Sequence, residues 1–77
     1  MVKSKEFMRV ESYLLKRYEE LTRELRGDIT QSEYDTLFHM RMEISKALLQ
    51  CGILDGNELT AYRDGINAKI SLEMQGH

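Results

Sequence analysis

Apolar residues recur at helical spacing in three segments of this chain, and two glycines, Gly27 and Gly52, mark the breaks between them. In the first segment Phe7, Val10, Leu14, Tyr18, Leu21 and Leu25 fall on one stripe of a helical wheel, with Lys5, Arg9, Lys16 and Arg23 opposite. The second segment departs from that two-faced pattern. Tyr34, Leu37, Met40, Ile44, Ala47 and Leu48 form an apolar flank that Phe38, Met42 and Leu49 extend, leaving Asp35, Thr36, His39, Glu43, Lys46 and Gln50 as a narrow polar strip. A helix apolar over more than half its circumference is expected at the centre of its bundle. The third segment has a core stripe of Leu59, Tyr62, Ile66 and Ile70 and a second, mostly small-residue stripe of Ala61, Gly65, Ala68 and Leu72.

The two breaks resemble each other. Gly27, Ile29, Thr30, Glu33 and Tyr34 answer to Gly52, Leu54, Asp55, Glu58 and Leu59. Glycine in the left-handed conformation ends a helix; Thr30 or Asp55 then serves as N-cap, Glu33 or Glu58 closes a capping box, and Ile29/Tyr34 or Leu54/Leu59 supplies a hydrophobic staple. The stretch GDITQSEY also matches the closing half of an EF-hand loop, with Gly27, Ile29 and Glu33 at positions 6, 8 and 12. Positions 1, 3 and 5 would then be Thr22, Glu24 and Arg26, and a cation at position 5 repels Ca²⁺. Capping accounts for every residue without a metal.

These signals predict one small all-α domain over residues 1–77: an antiparallel, up-down-up three-helix bundle with helices at roughly 4–26, 31–51 and 56–74. In that arrangement Glu11 comes level with Arg63, which predicts an ion pair. Arg41 lies within the apolar arc of the second helix with no acidic residue level with it. Burying it alone is costly, so it either snorkels past Tyr18 to water or faces a second chain.

Composition agrees with a helical domain: 42% of residues are hydrophobic, 31% are charged, and there is no Pro. The net charge of -2 exerts no general pull on nucleic acid, although residues 1–26 carry seven Lys/Arg against five Glu and the remainder four against eight acidic residues. A single Cys51, expected to be a semi-buried packing residue, excludes an intramolecular disulfide. No apolar run of membrane-spanning length and no signal-peptide core occurs, so a reducing, cytoplasmic setting without membrane partners is expected.

Candidate chemistry is sparse. Asp35, His39 and Glu43 line up at i, i+4, i+8, a span too long for one ion, and no second His or Cys completes the set, so neither metal nor cofactor is expected. His39 is the one internal imidazole and has no nucleophile at a useful spacing, and no Gly-rich phosphate loop is present, so catalysis is not expected. The expected function is a small non-catalytic interaction or regulatory module, a homodimer or a docking partner for another protein. Its surface is assigned to Met40, Arg41, Met42, Leu49, Ala61, Gly65, Ala68 and Leu72 on the second and third helices. The alternative is a nucleic-acid-associated regulator using Lys5, Arg9, Lys16 and Arg23 on the outer face of the first helix. Intrahelical pairing with Glu19 and Glu20 would partly neutralise that stripe. A small enzyme ranks third.

The capping reading of GDITQSEY has a direct check. Thr30→Ala should lower unfolding stability by about 1 kcal/mol in denaturant melts, whereas added Ca²⁺ should leave the wild-type thermal midpoint in place.

Overall fold

The computed structural model describes residues 4–76, which form three packed α-helices with no strand among them: α1 (Lys5–Leu25), α2 (Gln31–Gln50) and α3 (Gly56–Gln75). Local sequence explains each start. At α1 the Ser4 hydroxyl accepts the Phe7 amide at 3.1 Å. At α2 the Glu33 amide donates to Thr30 Oγ1 at 3.1 Å and the Glu33 carboxylate accepts the Thr30 amide at 3.2 Å, a complete capping box. Asp55 and Glu58 repeat the arrangement at α3, at 2.8 and 2.9 Å. Two backbone amides at the start of α2 and of α3, and one at the start of α1, are thereby satisfied without a partner from elsewhere.

The two breaks end their helices differently. Gly52 has φ of +69°, its amide donates to Leu49 O at 3.2 Å, and the Ile53 amide reaches back to Leu48 O at 3.0 Å. That is the Schellman arrangement, and Ile53 packs against the buried cluster containing Leu48, as the motif's apolar contact requires. Gly27, expected to be left-handed as well, is not. The last turn of α1 instead tightens, with the Arg26 amide on Arg23 O (3.2 Å) and the Gly27 amide on Glu24 O (3.1 Å). A Cβ at position 27 would sit 3.3 Å from that same Glu24 carbonyl, a tight approach that glycine avoids.

The core is built around α1, not α2. Leu14, Tyr18, Leu21, Thr22 and Leu25 of α1 are buried, against Ile66 and Ile70 of α3 and Leu48 alone of α2. Leu14, Tyr18, Leu48, Ile66 and Ile70 form one cluster, with Leu15, Ile44, Ala47, Ile53, Leu54, Leu59 and Tyr62 packed against it. Along α1 the packed stretch runs from Leu14 to Leu25, since Phe7 is half-buried and Val10 is exposed. The expectation of a central α2 fails because apolar circumference measures what a helix could bury. With two other helices among the described residues, one side of α2 is covered and its flanks are not.

Two glycine replacements should act in opposite directions. Gly52→Ala forces a side chain into the left-handed region and should cost about 1–2 kcal/mol, although nothing stands within 4 Å of the added Cβ. Gly65→Ala, in the exposed interior of α3 with equally open surroundings, should add up to about 1 kcal/mol. Urea melts of both variants provide the comparison.

Candidate partner-binding surface

Helix α2 turns Leu37, Arg41, Ile44, Ala47 and Leu48 toward the rest of the bundle, since these positions are buried or half-buried, and Ser45 is half-buried at the edge of that face. Its remaining large apolar residues are exposed: Tyr34, Phe38, Met40, Met42 and Leu49 each keep between 37% and 43% of their surface in contact with solvent. Helical spacing divides them. Tyr34, Phe38, Met42 and Leu49 run along one flank, with Tyr34 and Phe38 stacked at 6.0 Å between ring centroids, and Met40 lies on the other. On α3, Ala61, Gly65 and Ala68 are exposed, as is Leu72, at 69%. All the expected partner-surface residues except Arg41 therefore lie open to solvent.

Arg41 is folded back into the protein. Its guanidinium carbon lies 5.7 Å from the centre of the Tyr18 ring and 5.6 Å from that of Phe38, and Nη1 donates to Thr22 Oγ1 at 3.3 Å. Thr22 is 1% exposed and its hydroxyl donates in turn to the Tyr18 carbonyl at 2.8 Å. The cation is held by two aromatic faces and a neutral acceptor. Such contacts contribute on the order of 0.5–2 kcal/mol when partly desolvated. The sequence pointed to Tyr18 but missed Thr22, although its place one turn after Tyr18 on the inward side of α1 was a usable signal.

The basic stripe of α1 is broken at one end. Lys5, Arg9 and Lys16 are exposed, whereas Arg23 is engaged by Glu19 at 3.2 Å and by both carboxylate oxygens of Glu73 on α3. Lys69 joins Glu19 at 3.8 Å, and Glu20 pairs with Arg17 at 3.9 Å. Among the contacts of the described residues no ion pair joins Glu11 to Arg63, contrary to the sequence expectation. The charge contacts between α1 and α3 instead concentrate around Glu19, Arg23, Lys69 and Glu73, toward the α1 C-terminus. Arg26 adds hydrogen bonds to Asn67 O (2.8 Å) and Ser71 Oγ (3.2 Å). The cation that spoiled the EF-hand match thus fastens α1 to α3.

Asp35, His39, Met40 and Glu43 line an open concavity on the polar strip of α2, and among the described residues no three His, Cys, Asp or Glu side chains converge on a position for a metal ion. The Glu33 carboxylate is occupied by the Thr30 amide and hydroxyl, the latter at 2.9 Å. Cys51, expected to be semi-buried, is exposed at the C-cap of α2, because the bundle leaves that side of the helix end uncovered. No helix among the described residues is long and apolar enough to cross a membrane. Comparison with known proteins finds no matching family model, no similar curated protein and no similar solved structure.

Two titrations report on the α1–α3 contact. Tyr62 Oη donates to Leu15 O at 2.8 Å, and burial, with Glu19 and Tyr18 adding to it, raises the phenol above its ordinary range. The unfolded chain therefore ionises first as pH rises, and stability falls from the ordinary phenol pKa upward through the raised one. Glu73 is shifted the other way, lowered chiefly by its hydrogen bonds from Arg23. Its contribution is present above the ordinary carboxylate range and lost as pH falls through the lowered value. Tyr62→Phe should flatten the alkaline loss in a pH series of denaturant melts, and Glu73→Gln should flatten the acid one by a smaller amount, because that pair is solvent-screened.

Proposed function

We propose that this chain is a small, non-catalytic interaction or regulatory module that self-associates, or docks a protein partner, through the apolar surface of α2 and α3. The observation that carries the reading is the exposed apolar set on α2, five large side chains on a helix that buries only Leu48. Four of them, Tyr34, Phe38, Met42 and Leu49, share one flank, and exposed apolar side chains grouped in this way mark interaction sites; Met42 there and Met40 on the other flank are side chains that adapt to a partner's shape. Leu72, Ala61, Gly65 and Ala68 add a second exposed set on α3.

The domain is read as an up-down-up bundle. Support comes from register: Leu15 contacts Tyr62, Glu19 contacts Lys69 and Arg23 contacts Glu73, so positions rise together along α1 and α3, as parallel first and third helices require. A cytoplasmic setting suits the exposed thiol of Cys51. The nucleic-acid alternative is weakened by Arg23, whose charge is shared between two carboxylates, leaving Lys5, Arg9 and Lys16 as the open part of that stripe.

Size-exclusion chromatography with light scattering across a concentration series tests self-association. A concentration-dependent dimer is expected. A folded monomer at high micromolar concentration that binds no apolar dye would sink the reading.

A further inference from the structure

The positions on the exposed flank of α2 are spaced symmetrically about its middle, although the residue types differ across it. About a midpoint between Arg41 and Met42, Tyr34 mirrors Leu49 and Phe38 mirrors Ser45, while Met42 lies beside the midpoint itself. A stripe of that kind matches itself when a second copy is laid against it in the opposite direction, as an isologous two-fold interface requires. Large residues then face smaller or flexible ones: Tyr34 meets Leu49, the Phe38 ring enters the space left by Ser45, and the two Met42 side chains meet near the axis.

Charge follows the same symmetry. Asp35 and Lys46 sit seven residues before and four after Met42, on the same face and at the rim of the stripe. In an antiparallel pair their offset is two residues, about 3 Å along the axis, well within side-chain reach. Each Asp35 therefore comes beside Lys46 of the other copy, twice per dimer. Within one chain these residues are too far apart to meet. Among the described residues Lys46 pairs with Glu43, at 3.3 Å with both side chains more than half exposed, and Asp35 accepts from Gln31 at 2.9 Å. Arg41, nearest the axis, would place like charges opposite each other if it pointed outward; its seat against Tyr18, Phe38 and Thr22 draws it back into its own protomer.

From this symmetry, and resting on the self-association reading above, we infer that the partner is a second copy of this chain, docked α2 against α2 in antiparallel register, with Met42 at the two-fold axis and paired Asp35–Lys46 contacts at the rim.

Sedimentation equilibrium of the full chain, with circular dichroism to confirm folding, tests the geometry through charge exchange. Asp35→Lys and Lys46→Asp should each weaken dimerisation about tenfold, since each replaces two attractive contacts with repulsive ones; the double variant should recover wild-type affinity within about twofold. Met42→Cys in a Cys51→Ser background should form a disulfide with itself under mild oxidation, whereas Ser12→Cys on α1 in the same background should not. A wild-type chain that stays monomeric overturns self-association and this geometry together. A dimer in which the double variant shows no recovery and Met42→Cys does not cross-link overturns the antiparallel arrangement alone.

Discussion

Tyr18 is the residue at which all three helices meet. Its ring, 2% exposed, lies 5.9 Å from that of Tyr62 on α3 and faces the guanidinium of Arg41 on α2, while its carbonyl accepts the Thr22 hydroxyl. The side chain supplies apolar area to the cluster of Leu14, Leu48, Ile66 and Ile70, and its electron-rich face lets a cation sit beside the core with no carboxylate paired to it among the described residues. A salt bridge at that depth would have to recover the desolvation of two charges; here a single cation, still partly solvated, is satisfied by rings and one neutral oxygen. Removing the ring would disturb both interhelical contacts at once.

The position of α1 at the centre follows from the same residue. Tyr18 and Thr22 face α2 through Arg41, while Leu15, Glu19, Arg23 and Arg26 reach α3 through a hydrogen bond to the Leu15 carbonyl, an ion-pair group and a backbone contact to Asn67. The apolar and polar halves of this attachment differ in strength. Burial of the core residues supplies most of the stability, at about 25 cal/mol per Å² of apolar surface, whereas the Arg23–Glu73 and Lys69–Glu19 contacts stand in solvent and set register more than they add energy.

Much of the fold was legible in the sequence because its signals are local. Thr30 and Asp55 cap helices through atoms three residues away, and Gly52 satisfies a backbone conformation that its own neighbours impose; such features need no knowledge of the rest of the chain. What failed was relational. The apolar girth of α2 placed it at the centre on paper, but burial depends on how many neighbours a helix has. Glu11 and Arg63 were matched by height along ideal axes, and the charge contacts formed instead where Arg23 and Glu73 come together. Gly27 looked like Gly52 by spacing, yet its helix closes with tighter bonds. The exposed apolar positions on α2 and α3 were legible as a list. The exclusion of Arg41 from it was not, because that depends on a ring and a hydroxyl contributed by α1.

The uncovered flank of α2 has a physical character of its own. Its helix is fixed at the start by a complete capping box, at the end by the Schellman turn at Gly52, and along one side by Leu37, Ile44 and Leu48. Tyr34 and Phe38 hold each other by stacking, and Phe38 is further held by Arg41. Rings constrained in this way lose less rotamer freedom on docking than free side chains, which cost about 0.5–1.5 kcal/mol each to immobilise. Arg41 therefore acts on both sides of the helix. It satisfies a polar site beside the core through Thr22 and Tyr18, and it stiffens the aromatic end of the exposed stripe. The interactions that complete the fold of α2 thus also prepare the surface that the fold leaves uncovered.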